Sequence, residues 1–140
     1  MAKRLNGRVA AGLIGLVAVL LAVASSPSQA ADVTNSAIRH FVAFKFKDEV
    51  TPAERAEVNA ALVALKDQIP LIVSVEAGAN NSPEQKNQGF TDGFLITFRN
   101  AADRDAYLVH PAHQAFLKIA LPRIEDAFVF DYATDAASKK

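Results

Sequence analysis

The sequence predicts a single α+β domain in which a small antiparallel sheet carries helices on one face. Three observations lead there. Strand-like and helix-like segments follow one another in the order strand, helix, strand, strand, helix, strand. The first strand places apolar residues with a period of two. The first helix opens with a full start signal, Thr51-Pro52-Ala53-Glu54, in which threonine caps, proline takes the first helical position and glutamate completes a capping box.

The N-terminal region stands apart from this domain. Met1-Ala2-Lys3-Arg4 and Arg8 precede a nearly uninterrupted apolar run from Val9 to Ala24, and Ser25, Ser26, Pro27, Ser28, Gln29 and Ala30 follow. A charged start, an apolar core and a small-residue site at Ser28-Gln29-Ala30 are the three parts of a secretory signal peptide. The apolar run is short for a membrane span of about 20 residues. The expectation is therefore cleavage after Ala30, export to the periplasm or medium, and no membrane attachment afterwards. The chain has no cysteine, which excludes disulfides and a lipoprotein anchor. Loss of residues 1–30 leaves 12 Lys and Arg against 15 Asp and Glu. That mildly acidic balance gives no electrostatic reason to expect nucleic acid, which calls for a basic patch. The remaining chain of about 110 residues is the size of one domain.

Within it, residues 31–37 read as a flexible lead-in, 38–133 as the domain and 134–140 as a polar tail. Ile38 to Lys47 is the first strand. The first helix runs to about Gln68 and buries a stripe of Val58, Leu62, Leu65 and Ile69, with Arg55, Glu57, Asn59 and Lys66 mostly off it. Pro70 ends the helix, and the valine- and isoleucine-rich Leu71 to Gly78 forms the second strand. A polar loop, Ala79 to Gly89, leads to a third strand from Phe90 to Arg99. Asn100 caps the next helix with Asp103 in its first turn. Pro111 interrupts that helix, because the residue before a proline is pushed out of the helical region. A last strand, Ala127 to Tyr132, reads as apolar on both faces. Two halves in this order make the ferredoxin-like arrangement, with both helices on one face of a four-stranded antiparallel sheet. The other face carries Phe41, Ala43 and the apolar last strand, and an uncovered apolar face calls for a partner. A twofold homodimer with the sheets face to face meets that need.

The segment from Tyr107 to Phe116 holds two of the three histidines and one of the two tyrosines. Imidazole gives or takes a proton near neutrality, and a phenol donates a hydrogen bond to a developing oxyanion. Tyr107 and His113 flank the break at Pro111, while His110 directly precedes it and reads as a helix cap. The alternative is that Tyr107 and His113 are ordinary amphipathic surface residues. His40 shares an apolar strand face with Ile38, Val42, Phe44 and Phe46, so it is either a hydrogen-bonded core residue or a pocket lining. It needs a partner in either case, since an unpaired buried polar group costs about 1–3 kcal/mol. Asp92 is in phase with Phe94, Ile96 and Phe98 and is either a solvated strand start or a second pocket group. No metal-ligand spacing is diagnostic, nothing fixes a porphyrin, and the reading carries no cofactor and no metal.

In the stretches RHFVAFKFKDEVT, GFTDGFLITF, YLVHPAHQAF and FVFDYA the chain resembles the stress-responsive dimeric α/β-barrel (Dabb) family, over about Ile38 to Tyr132. The resemblance implies a ferredoxin-like monomer, a homodimer whose sheets form a barrel, and a cavity between helices and sheet. In the same motifs it is similar to one enzymatic branch, the plant polyketide cyclase that makes olivetolic acid. That likeness implies Tyr107 and His113 as the pair carrying an intramolecular aldol condensation and His40 as pocket lining. Asp92 stands where that branch has a histidine and would repel anionic substrates. Two functions stay open. One is an exported small-molecule-binding or stress-protective protein, with His40, Asp92, Tyr107 and His113 lining its pocket. The other is a lyase or cyclase with His113 as base and Tyr107 as oxyanion donor.

Overall fold

The structure is a computed structural model that describes residues 36–134. The expected signal peptide, most of the lead-in and the tail from Asp135 onward lie outside the described residues. The elements are β1 (Ile38–Phe46), α1 (Pro52–Gln68), β2 (Ile72–Ala79), β3 (Asp92–Phe98), α2 (Ala101–Leu108), α3 (Pro111–Ala120) and β4 (Ile124–Ala133). The strands lie in the order β2-β3-β1-β4, and every neighbouring pair is antiparallel. This is the ferredoxin-like α+β fold.

Local chemistry sets the helix limits. At the start of α1 the Thr51 hydroxyl accepts from the Glu54 N–H, and the Glu54 carboxylate accepts from the Thr51 N–H at 2.9 Å, so both halves of the capping box are made. The second predicted helix is two helices. α2 ends at Leu108, and His110 is extended at φ −65° and ψ 136°, as the residue before Pro111 must be. β4 begins at Ile124, earlier than Ala127, where it pairs with Phe46 across a register shift in β1.

One face of the sheet and the helices enclose the core. Val58, Leu62, Leu65 and Ile69 of the first helix and its cap pack over Phe44, Phe94, Ile96 and Phe98, all buried. Burial of each such side chain contributes about 1.5–3 kcal/mol. The opposite face carries Phe41, Ala43 and Leu95 and the aromatic row Phe128, Phe130 and Tyr132 of β4. Those three β4 rings are 45–56% exposed, a large apolar area to leave in water. β4 is not apolar throughout, however. Asp131 lies directly across from His40 in the β1–β4 pairing, on the helix-covered side.

Candidate functional site

The period of β1 turns His40 toward the helices, where it is 5% exposed. The break at Pro111 brings the end of α2 and the first turn of α3 over it. Tyr107, 1% exposed, packs its ring on both histidines, 4.3 Å from the His113 centroid and 6.0 Å from that of His40. The three groups that the sequence singled out on separate elements therefore form one buried cluster.

Each ring in the cluster is held in a defined way. His40 Nδ1 lies 2.6 Å from Asp131 Oδ1, and the other oxygen of Asp131 accepts from the Arg104 guanidinium on α2. His113 Nδ1 lies 3.1 Å from the Leu108 carbonyl, one of the carbonyls left without a helical partner at the end of α2. Gln114 donates to the same oxygen at 2.7 Å. Burial holds the His113 imidazole below its ordinary pKa of 6.5; the two other histidines push the same way and the Leu108 carbonyl opposes them. Burial also raises the Tyr107 phenol well above its ordinary 10.0. Near neutral pH the cluster thus offers an uncharged imidazole as acceptor beside a protonated phenol as donor, the two groups that abstraction of a carbon-bound proton and stabilisation of an oxyanion require.

His110 stays out of this cluster. Its Nδ1 accepts from the Ala112 N–H at 3.2 Å and caps α3. Among the described residues no group of three or more His, Asp and Glu is placed to hold a metal ion.

Asp92 occupies a separate place. It pairs with Phe44, four residues along β1 from His40, so the two lie about 13 Å apart along the strand. The paired Val42 and Phe94 stand between them on the sheet, and Phe44 is in ring contact with Phe116, which also touches His113. The Asp92 carboxylate is 5% exposed and takes three donors: Asn59 Nδ2 at 2.8 Å, Thr91 Oγ1 at 2.7 Å and Arg55 Nε at 2.7 Å. Arg55, four residues before Asn59 on α1, also lies over the Phe46 ring. The positive charge of Arg55 offsets the repulsion of anions expected from Asp92.

Three residues of this layer carried no local sign of their role: Arg104, Arg55 and Asn59. Asp131 had one usable signal, its place in phase with Ala127 and Val129 on a strand that a ferredoxin-like order sets beside β1. Two of the partners of Asp92, Arg55 and Asn59, come from a helix more than 30 positions away in sequence, and only the tertiary fold joins them to it.

A cavity of about 610 Å³ lies on the opposite face of the sheet. Its floor is Ala43, Gly93 and Gly78, which stand in one row across β1, β3 and β2, and Phe41, Phe90 and Phe128 wall it. A smaller one of about 270 Å³ sits beside Arg55 and Asn59 of α1. His40, Tyr107 and His113 line neither; the cluster is closed, ring upon ring.

Comparison with known proteins agrees with this architecture. The sequence pattern of the Dabb family, the stress responsive A/B barrel domain, matches residues 38–134. The chain is similar to olivetolic acid cyclase of Cannabis sativa, 32% identical over 96 residues that cover 69% of this chain and 95% of that protein. It is also similar to the stress-response A/B barrel domain-containing protein HS1 of Arabidopsis thaliana, 30% identical over 72% of this chain and 93% of that one. Among solved structures, a protein from Thermobifida fusca described as dimeric, ferredoxin-like and of unknown function superposes with a TM-score of 0.63 at 28% identity. That match covers 71% of this chain and 92% of the other. With the family pattern spanning the whole sheet and all three helices, the chain belongs to the Dabb, or stress responsive A/B barrel, domain family.

Proposed function

We propose that the protein is an exported, homodimeric small-molecule lyase or cyclase that runs aldol-type chemistry at His40, Tyr107 and His113. The observation that carries this reading is the Tyr107 ring packed against both histidines, with His113 held uncharged by burial. Similarity to a cyclase over nearly the whole length of that relative supports it. In the forward direction the free nitrogen of His113 takes a proton from a carbon next to a carbonyl. The resulting carbanion attacks a second carbonyl of the same molecule, and a carbon–carbon bond forms. The oxygen that becomes negative accepts the hydrogen bond of Tyr107 and is then protonated by His113, which returns to its neutral form. The reverse sequence cleaves a β-hydroxycarbonyl compound. The apolar sheet face, including the 610 Å³ cavity, would be covered by the second copy.

Binding without chemistry is the second reading, and the closed packing of the cluster favours it, because a substrate must part these rings to reach them. Mass spectrometry of small molecules retained by the purified protein, followed by incubation of each with fresh protein, separates the two. Conversion of a retained carbonyl compound by the wild type but not by Tyr107→Phe supports the enzyme. Retention of one compound that is never converted supports binding alone.

A further inference from the structure

Hydrogen-bond partners fix which nitrogen of each histidine carries a proton. A carbonyl oxygen only accepts, so His113 Nδ1, at 3.1 Å from Leu108 O, bears hydrogen and leaves Nε2 bare. His110 is the reverse: its Nδ1 accepts from the Ala112 N–H, so its hydrogen is on Nε2. His40 faces Asp131 Oδ1 at 2.6 Å through Nδ1, and Asp131 is in turn held by Arg104, which can only donate. Nε2 of His40 therefore lies on the side of the ring away from Asp131. Two aromatic rings pack on His40, Phe98 at 6.2 Å and Tyr107 at 6.0 Å, and of these only Tyr107 carries a polar atom.

We propose that Asp131, clamped by Arg104, is a positioning residue that holds His40 as the Nδ1–H tautomer, so that His40 acts in the cluster through Nε2 as a second hydrogen-bond acceptor. The Tyr107 ring then packs against two imidazoles, each with a bare Nε2. A substrate with one carbonyl oxygen for the phenol and two hydrogens for the imidazoles, one on an acidic carbon and one on an enol or hydroxyl oxygen, matches that set. A β-hydroxycarbonyl compound, the substrate of the cleavage direction, carries all three. The inference rests on the acid–base reading for its consequence, and on geometry alone for the tautomer.

Nitrogen-15 NMR of the histidine rings in the intact protein at neutral pH tests it without any substrate. Wild type should show hydrogen on Nδ1 for His40 and His113 and on Nε2 for His110. In Asp131→Asn the amide oxygen must turn to Arg104, which presents the NH2 group to His40 Nδ1 and drives the proton to Nε2. The His40 signals should exchange identity. An aspartate that only braced the fold would change stability and leave the proton where it was. Wild-type His40 with a bare Nδ1, or an unchanged tautomer in Asp131→Asn, overturns the proposal; if that variant does not fold, the wild-type spectrum decides alone. Failure of the acid–base reading looks different: the expected tautomers with no conversion of any carbonyl compound.

Discussion

Replacing Arg55 by methionine isolates what holds the buried carboxylate of Asp92. Methionine keeps most of the aliphatic stem and removes the charge, leaving Asp92, 5% exposed, with the neutral donors Asn59 and Thr91. Removing one partner of a fully buried ion pair costs about 3–5 kcal/mol. The Arg55 side chain is 36% exposed, so water takes over part of its work and the expected cost is reduced to about 1–3 kcal/mol. For a domain of this size that lowers Tm by on the order of 10 °C. Urea unfolding followed by circular dichroism at one fixed protein concentration measures it, since association shifts apparent stability. The second arm is a sign reversal. Asp92→Asn should destabilise the wild type, where it strands Arg55, and stabilise Arg55→Met, where it removes the uncompensated charge. An Arg55→Met protein within about 0.5 kcal/mol of wild type, or one that Asp92→Asn weakens further, would refute the reasoning.

Other expectations follow from the same structure. The folded protein holds His113 below the unfolded value of 6.5, so the unfolded chain binds its proton first as pH falls. The contribution of His113 to stability is complete above 6.5 and is lost as pH drops toward the folded pKa; His113→Gln should flatten that part of the stability-against-pH curve, and an unchanged slope in urea titrations would argue against burial as the cause. Phe130→Asp, on the exposed β4 row, should convert a dimer to monomers in light scattering, because apolar area left in water forfeits about 25 cal/mol per Å². Wild-type protein that is monomeric at micromolar concentration would contradict the dimer. N-terminal sequencing of protein from the native host should begin at Ala31, and a start at Met1 or Ala2 would contradict export.

The sequence disclosed those parts of the fold that depend on near neighbours. Thr51, Pro52 and Glu54 announce α1, and Pro111 announces the break that His110 caps. The period of two on β1 placed His40 on the covered face, and residues flanking Pro111 pointed to Tyr107 and His113. What it withheld depends on pairing across the fold. Asp131 was passed over in a strand read as apolar on both faces, and the β1–β4 register sets it opposite His40. Asp92 looked like a member of the same pocket because phase assigns a face but not a position along it; the β1–β3 register puts it beside Phe44, at the other end of the layer. The hollow on the opposite face arises where Gly78, Gly93 and Ala43 fall into one row, which no single strand reveals.

Deuterium exchange at carbons next to a carbonyl tests the central claim most directly, because it reads proton abstraction alone and needs no knowledge of the final product. Methyl ketones, β-oxo acids and 1,3-dicarbonyl compounds would be incubated with the protein in deuterated buffer and followed by proton NMR. The account predicts that wild type speeds exchange of at least one class, and that Tyr107→Phe and His113→Ala each lower that rate on the order of 10²-fold while remaining folded. Exchange no faster than in buffer for every class, or exchange that survives both substitutions, would contradict a working acid–base site at His40, Tyr107 and His113.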